Sequence, residues 1–75
     1  MPEPDWGERA SRYLKAELKR AGVGYDELAD RLTKAGMAET KASVANKLTR
    51  GTFQAAFLLA ALKAIGCANL RLEDL

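Results

Sequence analysis

Four blocks of apolar residues at helical spacing run along the chain, and a glycine closes each one. Trp6, Ala10, Tyr13, Leu14, Leu18 and Ala21 recur three and four residues apart, which puts them on one face of a first helix. Asp5 ahead of the block, with Glu8 three residues on, has the spacing of a capping box, and Gly22 ends the helix. The tight Gly22-Val23-Gly24 link leads into a second helix that begins near Tyr25. It carries Leu28, Ala29 and Leu32 inward and ends at Gly36. Asp26 and Glu27 lie in its first turn, where carboxylates suit the helix dipole. Gly36–Glu39 form the next turn, and Thr40 is placed to cap a third helix over Lys41–Arg50. In that helix Ala42, Ala45 and Leu48, with Val44 one turn before Leu48, make the apolar stripe. Gly51 supplies the left-handed stop.

After Gly51, Thr52 is expected to cap a fourth helix running to about Ile65. Phe53, Phe57, Ala60, Ala61 and Ala64 form one stripe, and Leu58, Leu59, Leu62 and Ile65 form another. No charge falls between Gly51 and Lys63. A helix apolar nearly all round must be buried on several sides. It is either the central core helix or a helix with one face against a second subunit. Asn69–Leu75 form a short final helix or an extended tail. The pattern as a whole predicts an all-α fold, a compact bundle of four to five helices without a sheet, with residues 1–4 frayed. The expected core is Trp6, Tyr13, Leu14, Leu18, Leu28, Ala29, Leu32, Leu48, Phe53, Phe57 and Leu62.

Seventy-five residues make one domain, residues 1–75, at the small end of what folds alone. The net charge is only +2, a weak sign of a polyanionic partner, but its distribution says more. Up to Glu39 there are seven basic and eight acidic residues, whereas Thr40–Leu72 hold five basic residues and no acid. An acid-free basic back half can orient the chain in a field of phosphates. Cys67 is the one cysteine and there is no histidine. That removes an intramolecular disulfide, a metal cluster of the usual ligand types, and Cys-His or Ser-His catalysis. Cys67 reads as a small core residue. The acidic start is no signal peptide, and the longest apolar run, Ala55–Leu62, is too short for a bilayer. The expectation is a cytoplasmic binding protein, not an enzyme, with no cofactor, no metal, no membrane partner and no evident small-molecule ligand.

The chemistry concentrates on the third helix. Ser43, Asn46, Lys47 and Arg50 fall roughly opposite its apolar stripe, on a small, polar, cationic face that lacks a carboxylate. Such a face can enter a DNA major groove, where Lys and Arg meet phosphates and guanine edges and Asn pairs with adenine. It can equally be the solvated side of a core helix.

Two short helices, a turn, a basic third helix and an apolar fourth helix are the parts of a helix-turn-helix domain. From about Gly24 to Leu75 the order resembles the lambda-repressor-like family, on Leu28-Ala29 beneath the third helix, Arg50-Gly51 at its end, the apolar Phe53–Ile65, Gly66 and the leucine-rich Leu70–Leu75. One departure stands out. From Ala29 to Gly36 is seven residues, longer than that family's usual spacing, so the second helix or the turn has gained about one helical turn. Over nearly its whole length the chain is also similar to a family of small uncharacterised bacterial domains. The likeness rests on Trp6, Leu14-Lys15, Tyr25-Asp26-Glu27-Leu28, the core Asn46-Lys47-Leu48-Thr49-Arg50-Gly51-Thr52-Phe53, and Ile65-Gly66.

These resemblances imply a sequence-specific DNA-binding transcriptional regulator that reads double-stranded DNA with its third helix as a homodimer. By analogy with the repressor family, Lys41, Ser43 and Lys47 face bases, Asn46 and Arg50 flank them, and Thr40 sits at the helix start. Tyr25 touches a phosphate or staples the start of its helix by packing. Gly51 and Thr52 offer backbone N–H groups at the fourth helix's N-terminus. Dimer contacts are expected from Leu58 and Leu62 of the fourth helix and from Leu70, Leu72 and Leu75. The competing reading is a protein–protein interaction module, an adaptor or antitoxin-like partner, since fold does not fix function. Low net charge and the leucine-rich fourth helix favour it.

Overall fold

The computed structural model describes residues 5–75, so the frayed start expected for residues 1–4 lies outside the described residues. Four α-helices follow in order: α1 (Trp6–Ala21), α2 (Tyr25–Lys34), α3 (Lys41–Arg50) and α4 (Ala55–Ala64). The tail carries a single 3-10 turn, Leu72–Asp74, and no strand occurs among the described residues. The all-α bundle holds. The fifth helix is reduced to that one turn.

Local chemistry sets the helix ends. Asp5 caps α1 by accepting from the Glu8 amide at 3.0 Å. The ends of α1, α2 and α4 share one arrangement. Val23, Met37 and Cys67 each donate a backbone N–H to the carbonyl five residues back, those of Leu18, Leu32 and Leu62. The same pairs bring two apolar side chains to each corner, as a Schellman closure does. α3 ends differently. Gly51, at φ +68°, donates only to the Lys47 carbonyl, which leaves the Leu48 carbonyl without a helical partner. The buried hydroxyl of Ser11 on α1 donates to it. Alongside, Gly7 and Gly51 meet backbone to backbone, and a Cβ at Gly7 would overlap the Gly51 carbonyl oxygen.

The core is Leu14 and Leu18 of α1, Val23 of the link, Leu28, Ala29 and Leu32 of α2, Val44 and Leu48 of α3, and Phe57, Ala61 and Leu62 of α4. α2 and α1 each pack against both α3 and α4. Most of the expected core is therefore present, with corrections at Trp6, Tyr13 and Phe53 and, on the stripe of α3, at Ala42. Trp6 is 53% exposed, because the buried line of α1 runs through Ser11, Leu14 and Leu18, with Gly7 half-buried one turn before Ser11. The indole instead lies beside Arg9, whose guanidinium carbon is 4.7 Å from the ring centroid. Tyr13 and Phe53 are only half-buried against the core. Ala42, expected on the inner stripe of α3, is exposed, because Val44 and Leu48 define the inward direction.

α4 also starts later than the Thr52 cap implies. Its N-cap is Gln54, with no side-chain bond to the helix, and Thr52 is an exposed link residue. Phe53 and Phe57 pack with ring centroids 5.4 Å apart, which turns the chain from α3 into α4. Among the described residues, no helix is long and apolar enough to cross a membrane.

Candidate nucleic-acid interface

α3 begins on a capping box. Thr40 Oγ1 accepts from the Ser43 amide at 3.1 Å, and Ser43 Oγ accepts from the Thr40 amide at 2.8 Å. The cap expected at Thr40 is present, and it already occupies the Ser43 hydroxyl. That hydroxyl also donates to Glu39 Oε1 at 2.6 Å. Lys47, one turn further on, places Nζ 2.9 and 3.0 Å from the two Glu39 oxygens. Its ammonium lies 5.4 Å from the centre of the Phe57 ring. The face formed by Ser43 and Lys47 thus does hold a carboxylate, supplied by the connection before α3. It lies along the flank of the helix, towards α4.

The outward face of α3 is a different set: Ala42, Asn46, Thr49 and Arg50, all exposed, with Lys41 exposed at the helix start. On a helix with Val44 and Leu48 inward, Ala42, Asn46, Thr49 and Arg50 fall on the far side. Lys41 and Arg50 form no ion pair among the described residues. Most other cations do. Arg12 pairs with Glu8, Arg20 with Glu17, Arg31 with Glu27, Lys34 with Asp30, and Arg71 with Glu73.

The remaining candidates are placed as follows. Tyr25 opens α2, half-buried with its ring against the core, and this favours the packing role. Gly51 already gives its N–H to the Lys47 carbonyl, and Thr52 lies outside the first turn of α4. The expected N–H pair at that helix start therefore does not form. Of the dimer candidates, Leu62 is buried in the monomer core at 3% exposure and has no surface to share. Leu58 and Leu70 are half-buried against that core. Leu75 is half-buried, with its backbone oxygen held by Arg9 Nε and Nη2 at 3.0 and 2.6 Å. Leu72 is 70% exposed.

Two residues of this region escape a reading by stripes. Thr49 belongs to the outward face. Glu39 is the organiser of the flank: its backbone N–H and C=O are bonded by Thr33 Oγ1 of α2, at 3.2 and 3.1 Å, while its carboxylate holds Ser43 and Lys47 of α3. The signal for it was the spacing Glu39, Ser43, Lys47, one side of a helix continued back through its cap. Among the described residues, no group of three His, Cys, Asp or Glu side chains is placed to hold a metal ion.

The model of one protein family, a domain of unknown function (DUF6471), matches residues 6–70. No curated protein matches the chain, and no solved structure does.

Proposed function

We propose that this chain, which belongs to the DUF6471 domain family, is a DNA-binding regulator of lambda-repressor-like, helix-turn-helix design. It works in the cytoplasm as a homodimer, by binding and not by catalysis. α2 and α3 are the two helices of the motif, and α3 is the one that enters the major groove. The observation that carries this reading is the outward face of α3. Asn46, Thr49 and Arg50 stand exposed on it, with Lys41 exposed at the helix start, no carboxylate among them and, among the described residues, no ion pair on either cation. An amide, a hydroxyl and two cations are the groups that read base edges and grip phosphates.

The connection from α2 to α3, residues 35–40, is longer than the three- or four-residue turn of the ordinary motif. Thr33 of α2 and Ser43 and Lys47 of α3 all bond to Glu39 near its end. A fixed connection supports the reading, because a reading helix must hold its angle to the helix behind it. Lys47 and Ser43, drawn to Glu39, then act as supports, and Asn46 and Thr49 become the base-reading set, with Lys41 and Arg50 on the backbone.

Selection of binding sites from a random duplex pool tests this. Enrichment of one motif by wild-type protein, lost in an Asn46→Ala, Arg50→Ala double variant that still folds, is the expected result. A pool that stays random under wild-type protein refutes the reading. One observation favours a protein partner instead. Ala55, Ala56, Leu59 and Lys63 make an exposed, mostly apolar side of α4, with Leu59 58% exposed. On that reading α3 is a solvated helix and α4 is the docking face.

A further inference from the structure

The C-terminal turns of α2 and α4 lie side by side. Arg31 of α2 donates through Nη1 to the Ala64 carbonyl of α4 at 2.9 Å. Beside that bond the two helices leave an open groove lined by Arg31, Lys34, Ala35, Ala60, Lys63 and Ala64. Its floor is made of alanine methyl groups. Its rim is three cations, and no acid lines it. Leu59 stands one helical turn before Lys63 and extends the apolar strip along α4. Such a groove suits an apolar side chain followed at once by carboxylates.

The same chain displays that element. Leu72 is the most exposed large apolar residue among the described residues, and Glu73 and Asp74 follow it on an exposed 3-10 turn. Within one molecule Leu72 remains in solvent while the groove stays open. We infer that the groove receives the Leu72-Glu73-Asp74 turn of a second copy. Leu72 is set on Ala60, Ala64 and Leu59, and the two carboxylates lie among Lys34, Lys63 and Arg31. Each copy carries both halves, so the contact forms twice about a two-fold axis and closes as a dimer. Among the described residues Lys63 is the rim cation without an ion pair, because Arg31 and Lys34 pair with Glu27 and Asp30. Glu73 exchanges its exposed partner Arg71 for the rim at little cost, since exposed ion pairs contribute little. This inference specifies how the proposed homodimer forms and is independent of whether the protein binds DNA.

The test is sedimentation equilibrium of the 75-residue chain without DNA, over micromolar to submillimolar concentration. Wild type should show a concentration-dependent rise to twice the monomer mass. Leu72→Glu and Lys63→Glu should each remain at the monomer mass, with wild-type helical circular dichroism, since both side chains are exposed. Lys63→Glu combined with Glu73→Lys restores the charge pairing with the signs exchanged and should recover the dimer. A wild type that stays monomeric overturns the inference and leaves the groove to a different partner. So does a dimer that survives both single variants, or a monomeric Lys63→Glu that the charge exchange fails to rescue.

Discussion

Lys47 and Glu39 form the salt bridge that fixes the approach to α3, with Nζ 2.9 and 3.0 Å from the two carboxylate oxygens. The Glu39 side chain is only 7% exposed and that of Lys47 34%. Removing the lysine strands a mostly buried carboxylate with the Ser43 hydroxyl as its remaining side-chain donor. Lys47→Ala should therefore cost about 1–3 kcal/mol. In a domain of this size that lowers the melting midpoint by roughly 4–8 °C for each kcal/mol. A calorimetric midpoint equal to wild type would show that the pair holds nothing in place.

Glu39→Gln separates the structural role of Lys47 from a binding role. It keeps the side chain's shape and releases the ammonium from its counter-charge. If α3 lies on DNA, the freed Lys47 can reach a phosphate, and the salt dependence of affinity should steepen by about 0.9 in log–log slope. An unchanged slope in Glu39→Gln means that Lys47 stays turned towards Phe57 and away from nucleic acid.

Gly7 and Gly51 provide a purely steric test of the α1–α3 contact. A methyl at Gly7 meets the Gly51 carbonyl oxygen head-on, and both sides of the clash are backbone. Gly7→Ala should destabilise by about 3 kcal/mol, the upper end of ordinary overpacking. Gly36, at φ +99° with open space around its Cβ position, is the control. Gly36→Ala carries only left-handed backbone strain of about 1–2 kcal/mol. Urea unfolding of both variants checks the order, and a Gly7→Ala milder than Gly36→Ala contradicts the contact.

The Tyr13 hydroxyl gives the fold a signature in alkali. Burial first, then its contact with Cys67 Sγ at 3.8 Å, then the negative charges of Cys67, Glu17 and Asp74 push its pKa from 10.0 up to about 12. The folded state holds this proton more tightly than the unfolded state does. Its contribution to stability is thus complete below pH 10 and is lost as the pH rises towards 12. Denaturation midpoints should fall across that window, and the fall should be smaller in Tyr13→Phe. Identical alkaline profiles for the two proteins would contradict the shift.

Much of this architecture could be read from the chain, because helix ends depend on local chemistry. Asp5, Thr40 and Gly51 each mark a boundary found in the structure, since a cap acts on residues two or three positions away. Spacing was less informative about which member of a stripe points to the centre. Trp6 and Ala42 lie on apolar stripes yet face solvent, because the inward directions of their helices are set by Leu14 and Leu18, and by Val44 and Leu48. In α4 periodicity carries almost no information, since nearly every residue is apolar, and only the packed bundle separates buried Leu62 from exposed Leu59. Thr52 has the chemistry of a cap, but the packing of Phe53 on Phe57 delays the helix to Ala55. In the candidate interface, Asn46 and Arg50 are where the pattern put them. Ser43 and Lys47 are claimed by Glu39, a residue of the connection whose part in α3 depends on how the chain turns back.

Asn46 and Thr49 carry the base preference in this account, and Lys41 the position. Asn46→Ala and Thr49→Ala should each flatten discrimination at one or two base pairs by about 1–3 kcal/mol while leaving non-specific affinity nearly unchanged. Lys41→Ala should weaken all duplexes alike. Competition titrations with single-base variants of a selected site measure both effects. Equal loss on every sequence from Asn46→Ala would make that residue a support and not a reader.

The most direct test is the salt dependence of duplex binding by wild type and Arg50→Ala, followed by fluorescence anisotropy on a labelled random-sequence duplex. Arg50 is exposed at the end of α3 with no ion-pair partner among the described residues, so its loss should leave the fold intact. Log affinity should fall linearly with log salt for wild type, and Arg50→Ala should lower the slope by about 0.9, the loss of one phosphate contact. No binding by wild type at low salt, or an identical slope in Arg50→Ala, would contradict it and leave the apolar side of α4 as the functional surface.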